Sequence, residues 1–324
     1  MATIPDYDDL PLQDGVRCSW GVWGDHDVFG CFNLLTPERT AAAARLVERG
    51  ALFSLNWNMA LPDPPLFGRA RLRHEIRSNP GSRSQDELLH DWNTQASTQW
   101  DGFRHARREG SGFYGGVPDA EHGVEHWARR GFAGRAVLAD VARWRESVGR
   151  PLRQGTPDPI EPEDITATLA AQGVTVEPGD ILLVRTGWLP WYLTIDAGQR
   201  AAISDFTVLE TPGLRACEAS ARLLWNLHVA AIATDNPAVE VWPIGALIDP
   251  AERAAIAADP RREHEMLLHT RLIPMLGLIM GELFDLEALA DDCAGDGRYT
   301  CFFTSAPINL PQGVASPPNA LALK

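Results

Sequence analysis

Lysine is almost missing from this chain of 324 residues: the only one is Lys324. Neither a Schiff-base lysine nor the lysine of a GxxxxGK[ST] phosphate loop is therefore expected. No run of about 18 apolar residues is present, so no segment is expected to cross a bilayer as a helix. The opening "MATIPDYDDLPLQDG" has neither the basic nor the apolar region of a secretory leader, and the expected address is the cytoplasm. The five cysteines, at 18, 31, 217, 293 and 301, include no CxxC pair, which argues against a disulfide framework and against a thiolate zinc site. No G-x-S-x-G elbow occurs, and Ser111 in "EGSGFYG" has the wrong spacing for one. An excess of positive charge is lacking too. Lys and Arg number 29 against 43 Asp and Glu, a net charge of -14. This speaks against a nucleic-acid partner, whose binding draws on clustered cations.

What is present reads as a globular protein. Hydrophobic residues make up 45% and charged residues 22%, enough to bury a sizeable core. In "LTPERTAAAARLVERGALFSLNWNM", Thr36 caps a helix that has Pro37 at its first position and Gly50 as its stop, and an alternating strand follows. A strand is predicted at Ala136–Leu138. Helix-then-strand grammar recurs in "EPEDITATLAAQGV" followed by "VEPGDILLVRTGW", and in the helix before Val229–Thr234. It recurs again in "REHEMLLHTRLIPMLGLIMGELFDLEAL", a helix breaking near Gly277 before a strand at Leu278–Glu282. Interleaved helices and short apolar strands are the α/β pattern. No repeat or low-complexity linker divides the chain, so a single domain over 1–324 is expected. It has an N-terminal arm at 1–35 and a loop excursion at 62–92 around a short strand at Leu72–Ile76.

Three constellations bear on chemistry. "HGVEH", His122 to His126, has the H-x-x-E-H spacing that places two histidines on one helical face, yet its surroundings read as a solvated amphipathic helix. Cys217 and Cys301 lie in apolar stretches that suit buried thiols. The third is "NTQASTQWDGFRH", in which Asp101 and His105 stand four apart, taken with the distant His269 and Glu282. Two carboxylates and two imidazoles converging from separate elements would make a divalent-metal site.

The same stretch resembles the cyclase family of metal-dependent hydrolases, which includes bacterial kynurenine formamidases and isatin hydrolases. That family's signature runs His-x-Gly-Thr-His-x-Asp-x-Pro-x-His. The frame here is Gln95-Ala-Ser-Thr98-Gln99-Trp-Asp101-Gly-Phe-Arg-His105, and its "TQWD" resembles a recurring variant among the larger members. The blocks "WGVWGDHDVFGCFNLLTPE", "GRAVLADVA", "ATDNPAVEVWP" and "FFTSAPINLPQGVASPPNALAL" follow in the family's order.

The resemblance implies an α/β single domain, a mixed sheet with a barrel-like core flanked by helices. It also implies a homodimer or homotetramer. Asp101 resembles the bridging carboxylate, and His105, His269 and Glu282 resemble the other metal ligands. Gln95 and Gln99 stand where the family has histidines. An amide oxygen is a weaker and harder donor than imidazole, so one ion rather than two is expected, manganese or zinc.

The implied activity is hydrolysis of an amide, lactam or lactone carbonyl bond in a small cyclic or aryl substrate. A metal-activated water would attack, with His105 as acid and base and Asp101 and Gln99 beside it. Gln95, Trp100, Phe103 and Tyr114 are the expected substrate contacts. The alternative is a metal-free member, a cyclase, a dehydratase or a small-molecule binding protein, working through Gln95, Gln99 and Asp101.

Overall fold

Short runs that are apolar on both faces become the middle of one large sheet. The computed structural model describes residues 4–248, 254, 256, 258–259 and 261–324. Its nine-stranded sheet comprises β1 (Leu52–Ser54), β2 (Gln99–Asp101), β3 (Phe132–Ala139), β4 (Ile181–Val184), β5 (Ala231–Thr234), β6 (Ile279–Glu282), β7 (Thr300–Ser305), β8 (Ala315–Ser316) and β9 (Leu321–Leu323). The spatial order is β8-β2-β6-β5-β4-β3-β7-β9-β1.

The four central strands β6, β5, β4 and β3 run parallel, joined by crossovers that carry helices. All residues of β4, β5 and β6 are buried, as expected when both faces of a parallel sheet are covered. Antiparallel pairs extend the sheet on both sides, through β2 and β8 at one edge and β7, β9 and β1 at the other. Strand β7 alternates inward and outward residues, the mark of one covered face. The result is the expected mixed α/β single domain, with a sheet curled about a core that includes Trp100, Phe132, Ile232, Met280 and Phe303. Among the described residues, no helix is long and apolar enough to cross a membrane.

Local signals decide the helices, and tertiary contacts decide where they stop. Helix α1 (Pro37–Ala44) begins as expected, with the Thr36 side chain accepting from the Arg39 N–H at 3.4 Å. It ends well before Gly50. The Leu46 carbonyl is taken by Arg298 at 3.0 Å, while the N–H groups of Arg49 and Ala51 bond to the Lys324 carbonyl. The strand predicted at Ala136–Leu138 is longer, because all eight residues of β3 are claimed by neighbours. The excursion at 62–92 is more regular than expected. It contains an exposed hairpin, Arg73–Ser78 paired with Gln85–His90, whose second strand is hidden in polar sequence.

The lone lysine is buried against acids. Lys324 Nζ lies 2.8 Å from Asp296, 2.9 Å from Asp292 and 2.8 Å from the Arg298 carbonyl. Lys324→Met is therefore expected to destabilise the fold by about 1–3 kcal/mol, through lost charge-assisted bonds only partly offset by retained stem packing. A lower urea midpoint at unchanged slope is the expected reading, and an unchanged midpoint would mean Arg49 alone satisfies both aspartates.

Candidate active site

The antiparallel pairing of β2 with β6 assembles the polar centre. Gln99 lies opposite Glu282 and Asp101 opposite Met280. Side chains two apart on a strand share a face, so Gln99 and Asp101 point together toward Glu282. His269 comes from the helix Leu268–Leu276 that feeds β6, and Glu240 from the segment after β5. Both acids sit beside unusual backbone. Val239, before Glu240, and Leu283, after Glu282, have φ of 57° and 55°. A β-branched residue in the left-handed region is strained, at about 1–3 kcal/mol, and such strain persists where surrounding structure holds a functional group in place. Leu283 is pinned by Thr98, whose hydroxyl donates to its carbonyl at 2.7 Å.

The polar groups form one closed network. Asp101 is fully buried and accepts from Gln95 Nε2 at 2.8 Å and from Gln99 Nε2 at 3.1 Å. Gln99 Nε2 also donates to Glu282 Oε2 at 2.8 Å. His269 Nε2 stands 3.7 Å from Asp101 Oδ2 and 3.3 Å from Glu282 Oε1, while its Nδ1 meets both Glu240 oxygens, at 3.0 and 2.9 Å. His105 Nε2 is 3.9 Å from Asp101 Oδ1, and Gln95 Nε2 lies 2.8 Å from its Nδ1. Arg69 closes the ring, with Nη1 donating to Gln99 Oε1 at 3.3 Å and to the Gln95 carbonyl.

Neighbouring carboxylates set opposite states for the two buried imidazoles. Burial lowers His105, Asp101 opposes this only in part, and the ring stays below its ordinary pKa. Burial acts the same way on His269, but Glu240, Asp101 and Glu282 overcome it and carry His269 well above its ordinary value. Burial and the Asp101 charge push Glu282 up to about 7. Burial alone would raise Asp101 as well, yet His105, His269 and Arg69 hold it below the usual carboxylate range. At neutral pH the cation-free site thus pairs a charged His269 with a neutral His105. Where Gln95 donates to Nδ1, the His105 proton sits on Nε2.

A cavity of about 260 Å³ opens over this network, lined by Phe67, Arg69, His105, Glu240, Trp242, His269 and Glu282. Its aromatic walls differ from the expected ones. Trp100 alternates to the opposite face of β2, where it stacks on Phe132 at 5.0 Å and donates to Ser305. Phe103 and Tyr114 pack on each other at 4.6 Å in the core, with the Tyr114 hydroxyl bonded to Asp27. These three are core residues rather than substrate contacts. Phe67 and Trp242 form the walls instead, edge to face at 6.0 Å.

"HGVEH" is neither a metal face nor a solvated one. The helix there starts only at Glu125, and His122 and His126 turn to separate carbonyls, of Tyr114 and Glu121. His122, Glu125 and Trp127 are buried.

A family profile described as "Putative cyclase" matches residues 41–241. The chain belongs to the cyclase family. A crystal structure described as a novel cyclase is 31% identical over 95% of this chain and 99% of that one, with a TM-score of 0.76. Isatin hydrolase A from Labrenzia aggregata, bound to benzyl benzoate, is 19% identical over 87% of this chain and 96% of its own, with a TM-score of 0.52. The Ralstonia solanacearum isatin hydrolase A is 17% identical over 90% of this chain and 97% of its own, with a TM-score of 0.54. At such identities these two share the fold. No curated protein matches the sequence.

The family implies a divalent metal, and the residues here fit one ion. Asp101, His105 and His269 each offer a ligand atom, all within 4.8 Å of one another. Glu240 on His269 Nδ1 leaves Nε2 facing the carboxylates, the arrangement that orients metal-bound imidazoles. A second ion does not fit the donor set, because the amide nitrogens of Gln95 and Gln99 both face Asp101. The structure therefore brings together Gln95, Gln99, Asp101, His105, His269 and Glu282. It adds Glu240 and Arg69, which sequence reasoning did not find. Glu240 lies within the quoted block "ATDNPAVEVWP", where an acid among apolar residues signals a buried, paired carboxylate. No signal in the sequence singles out Arg69.

Proposed function

We propose that this cyclase-family protein hydrolyses an amide, lactam or lactone carbonyl bond of a small ring-bearing substrate. The observation that carries the reading is the convergence of Asp101, His105 and His269 beneath a cavity walled by Phe67 and Trp242. Asp101 and His269 would hold one divalent ion, manganese or zinc, with Glu282 beside them and His105 within reach. Such an ion, when bound, supplies Lewis acidity to a carbonyl oxygen and lowers the pKa of water.

The chain's own residues do the rest. Phe67 and Trp242 present flat apolar walls that orient a ring. His105, neutral with its proton on Nε2, takes a proton from the attacking water at Nδ1 when the Gln95 amide gives up that nitrogen. It then returns that proton to the leaving nitrogen or oxygen. Arg69 stacks over Phe67, its guanidinium carbon 5.2 Å from the ring centre, and keeps that wall beside the polar floor.

The test is the metal content of untagged protein purified without chelator, followed by a screen of lactones, lactams and N-acyl aromatics. About one ion per chain is expected, with hydrolysis lost on chelation and regained with manganese or zinc. Full hydrolysis in chelated protein would overturn the role of the ion, and an ion-loaded protein inert on all three classes would overturn the bond type.

One observation favours a second reading. Gln95 and Gln99 already satisfy the Asp101 carboxylate with N–H donors, as a metal-free site requires. In that case the protein binds a small carbonyl compound, or cyclises or dehydrates it, with His105 as proton carrier. Activity that survives chelation together with metal content near zero would select it.

A further inference from the structure

We propose that Arg69 is a positioning residue that locks the Gln99 amide with its nitrogen between Asp101 and Glu282, so that an uncharged NH2 group stands where a second cation would balance the two carboxylates. The inference rests on the single-ion reading of the site. Gln99 is fully buried, so its amide has no water to turn toward. Every one of its polar atoms is matched. Oε1 accepts from Arg69 Nη1 at 3.3 Å, and Nε2 donates to Glu282 Oε2 at 2.8 Å and to Asp101 at 3.1 and 3.4 Å.

Turning the amide over would set its carbonyl oxygen against both carboxylates and its NH2 against the guanidinium. All of these bonds would become repulsive contacts in a buried site. The two hydrogens of one Arg69 nitrogen thereby fix the amide and the Gln95 carbonyl together, tying the loop before the hairpin to the motif. With Arg69 in place, Gln99 serves the carboxylates as a hydrogen-bond donor and offers no oxygen to an ion. Arg69 also keeps a positive charge on the cavity wall, which repels any further cation.

The direction of one effect separates this role from a merely structural clamp. Chelator-stripped wild type, Arg69→Met, Arg69→Lys and the Gln99→Leu pair of each are titrated calorimetrically with manganese. Arg69→Met is expected to bind manganese about tenfold more tightly or to take up a second ion, because the repulsion is gone and the Gln99 oxygen is free to turn. Arg69→Lys keeps a charged donor and stays near wild type. In the Gln99→Leu background the gain shrinks, showing that Arg69 acts through Gln99. Where wild type binds manganese, a clamp that only holds the loop gives weaker or unchanged binding in Arg69→Met, and that result overturns the proposal.

A second readout needs no metal. In nitrogen-15 spectra of the stripped protein, the Gln99 side-chain NH2 should exchange slowly in wild type and quickly in Arg69→Met. Equal exchange in the two sinks the lock whatever the calorimetry shows. Absence of manganese binding in wild type and all variants, with the exchange difference intact, leaves the lock standing and removes the single-ion reading.

Discussion

Asp101→Asn is expected to abolish bound divalent metal and to lower kcat by about a thousandfold or more, with the fold intact. The carboxylate is the shared neighbour of the whole site. It accepts from Gln95 and Gln99, and it faces both imidazoles. Asparagine has the same shape and keeps one acceptor oxygen, so the amide donors are not orphaned and packing is preserved. What it removes is the negative charge that supports His269 and that any cation would need. Because the variant also relieves the repulsion that raises Glu282, its stability should stay within about 2 kcal/mol of wild type. Metal analysis, steady-state rates and a urea titration on one preparation check all three. Retained metal with more than about a tenth of the activity would remove Asp101 from the centre of the mechanism.

The parts legible in the sequence were those whose physics is local or whose burial is complete. Strand β4 is an unbroken apolar run and β5 is apolar up to its last residue, Thr234; both are buried throughout, and such runs read as central strands. The Thr36–Pro37 start of α1 is likewise written in adjacent residues. Strand β2 is different. Gln99, Trp100 and Asp101 have no strand signature, and the segment is a strand because β6 and β8 flank it. With β2 unrecognised, the alternation that sends Trp100 to the core and its two neighbours to the site was out of reach. Trp100 was misassigned for this reason.

The polar centre divides the same way. Asp101, His105, His269 and Glu282 were visible as a set through resemblance to the family, and the fold brings them together. Glu240 and Arg69 belong to elements far along the chain from the motif. Each becomes functional through one contact that only tertiary structure creates, His269 Nδ1 for Glu240 and Gln99 Oε1 for Arg69.

Glu240→Gln carries the second-largest expected loss. Both Glu240 oxygens lie within hydrogen-bond distance of His269 Nδ1, and the carboxylate is almost fully buried. It fixes the ring so that Nε2 faces Asp101 and Glu282, and it makes that nitrogen a better donor to a cation. Glutamine keeps one acceptor oxygen and the volume but removes the charge, and it leaves an amide NH2 that has to find a new partner. Losses of this kind at the outer partner of a metal-binding histidine run to about 10–100-fold in metal affinity or activity. Because Val239 holds Glu240 in place at a strained φ of 57°, the charge is supplied at a conformational cost that packing alone does not require. Metal affinity by competition with a chelator, set beside the urea midpoint, separates the two roles. A fall in affinity with an unchanged midpoint identifies Glu240 as the residue that aims His269. A lowered midpoint with unchanged affinity would mean that the carboxylate only satisfies the fold, and that His269 is oriented by Asp101 and Glu282 alone.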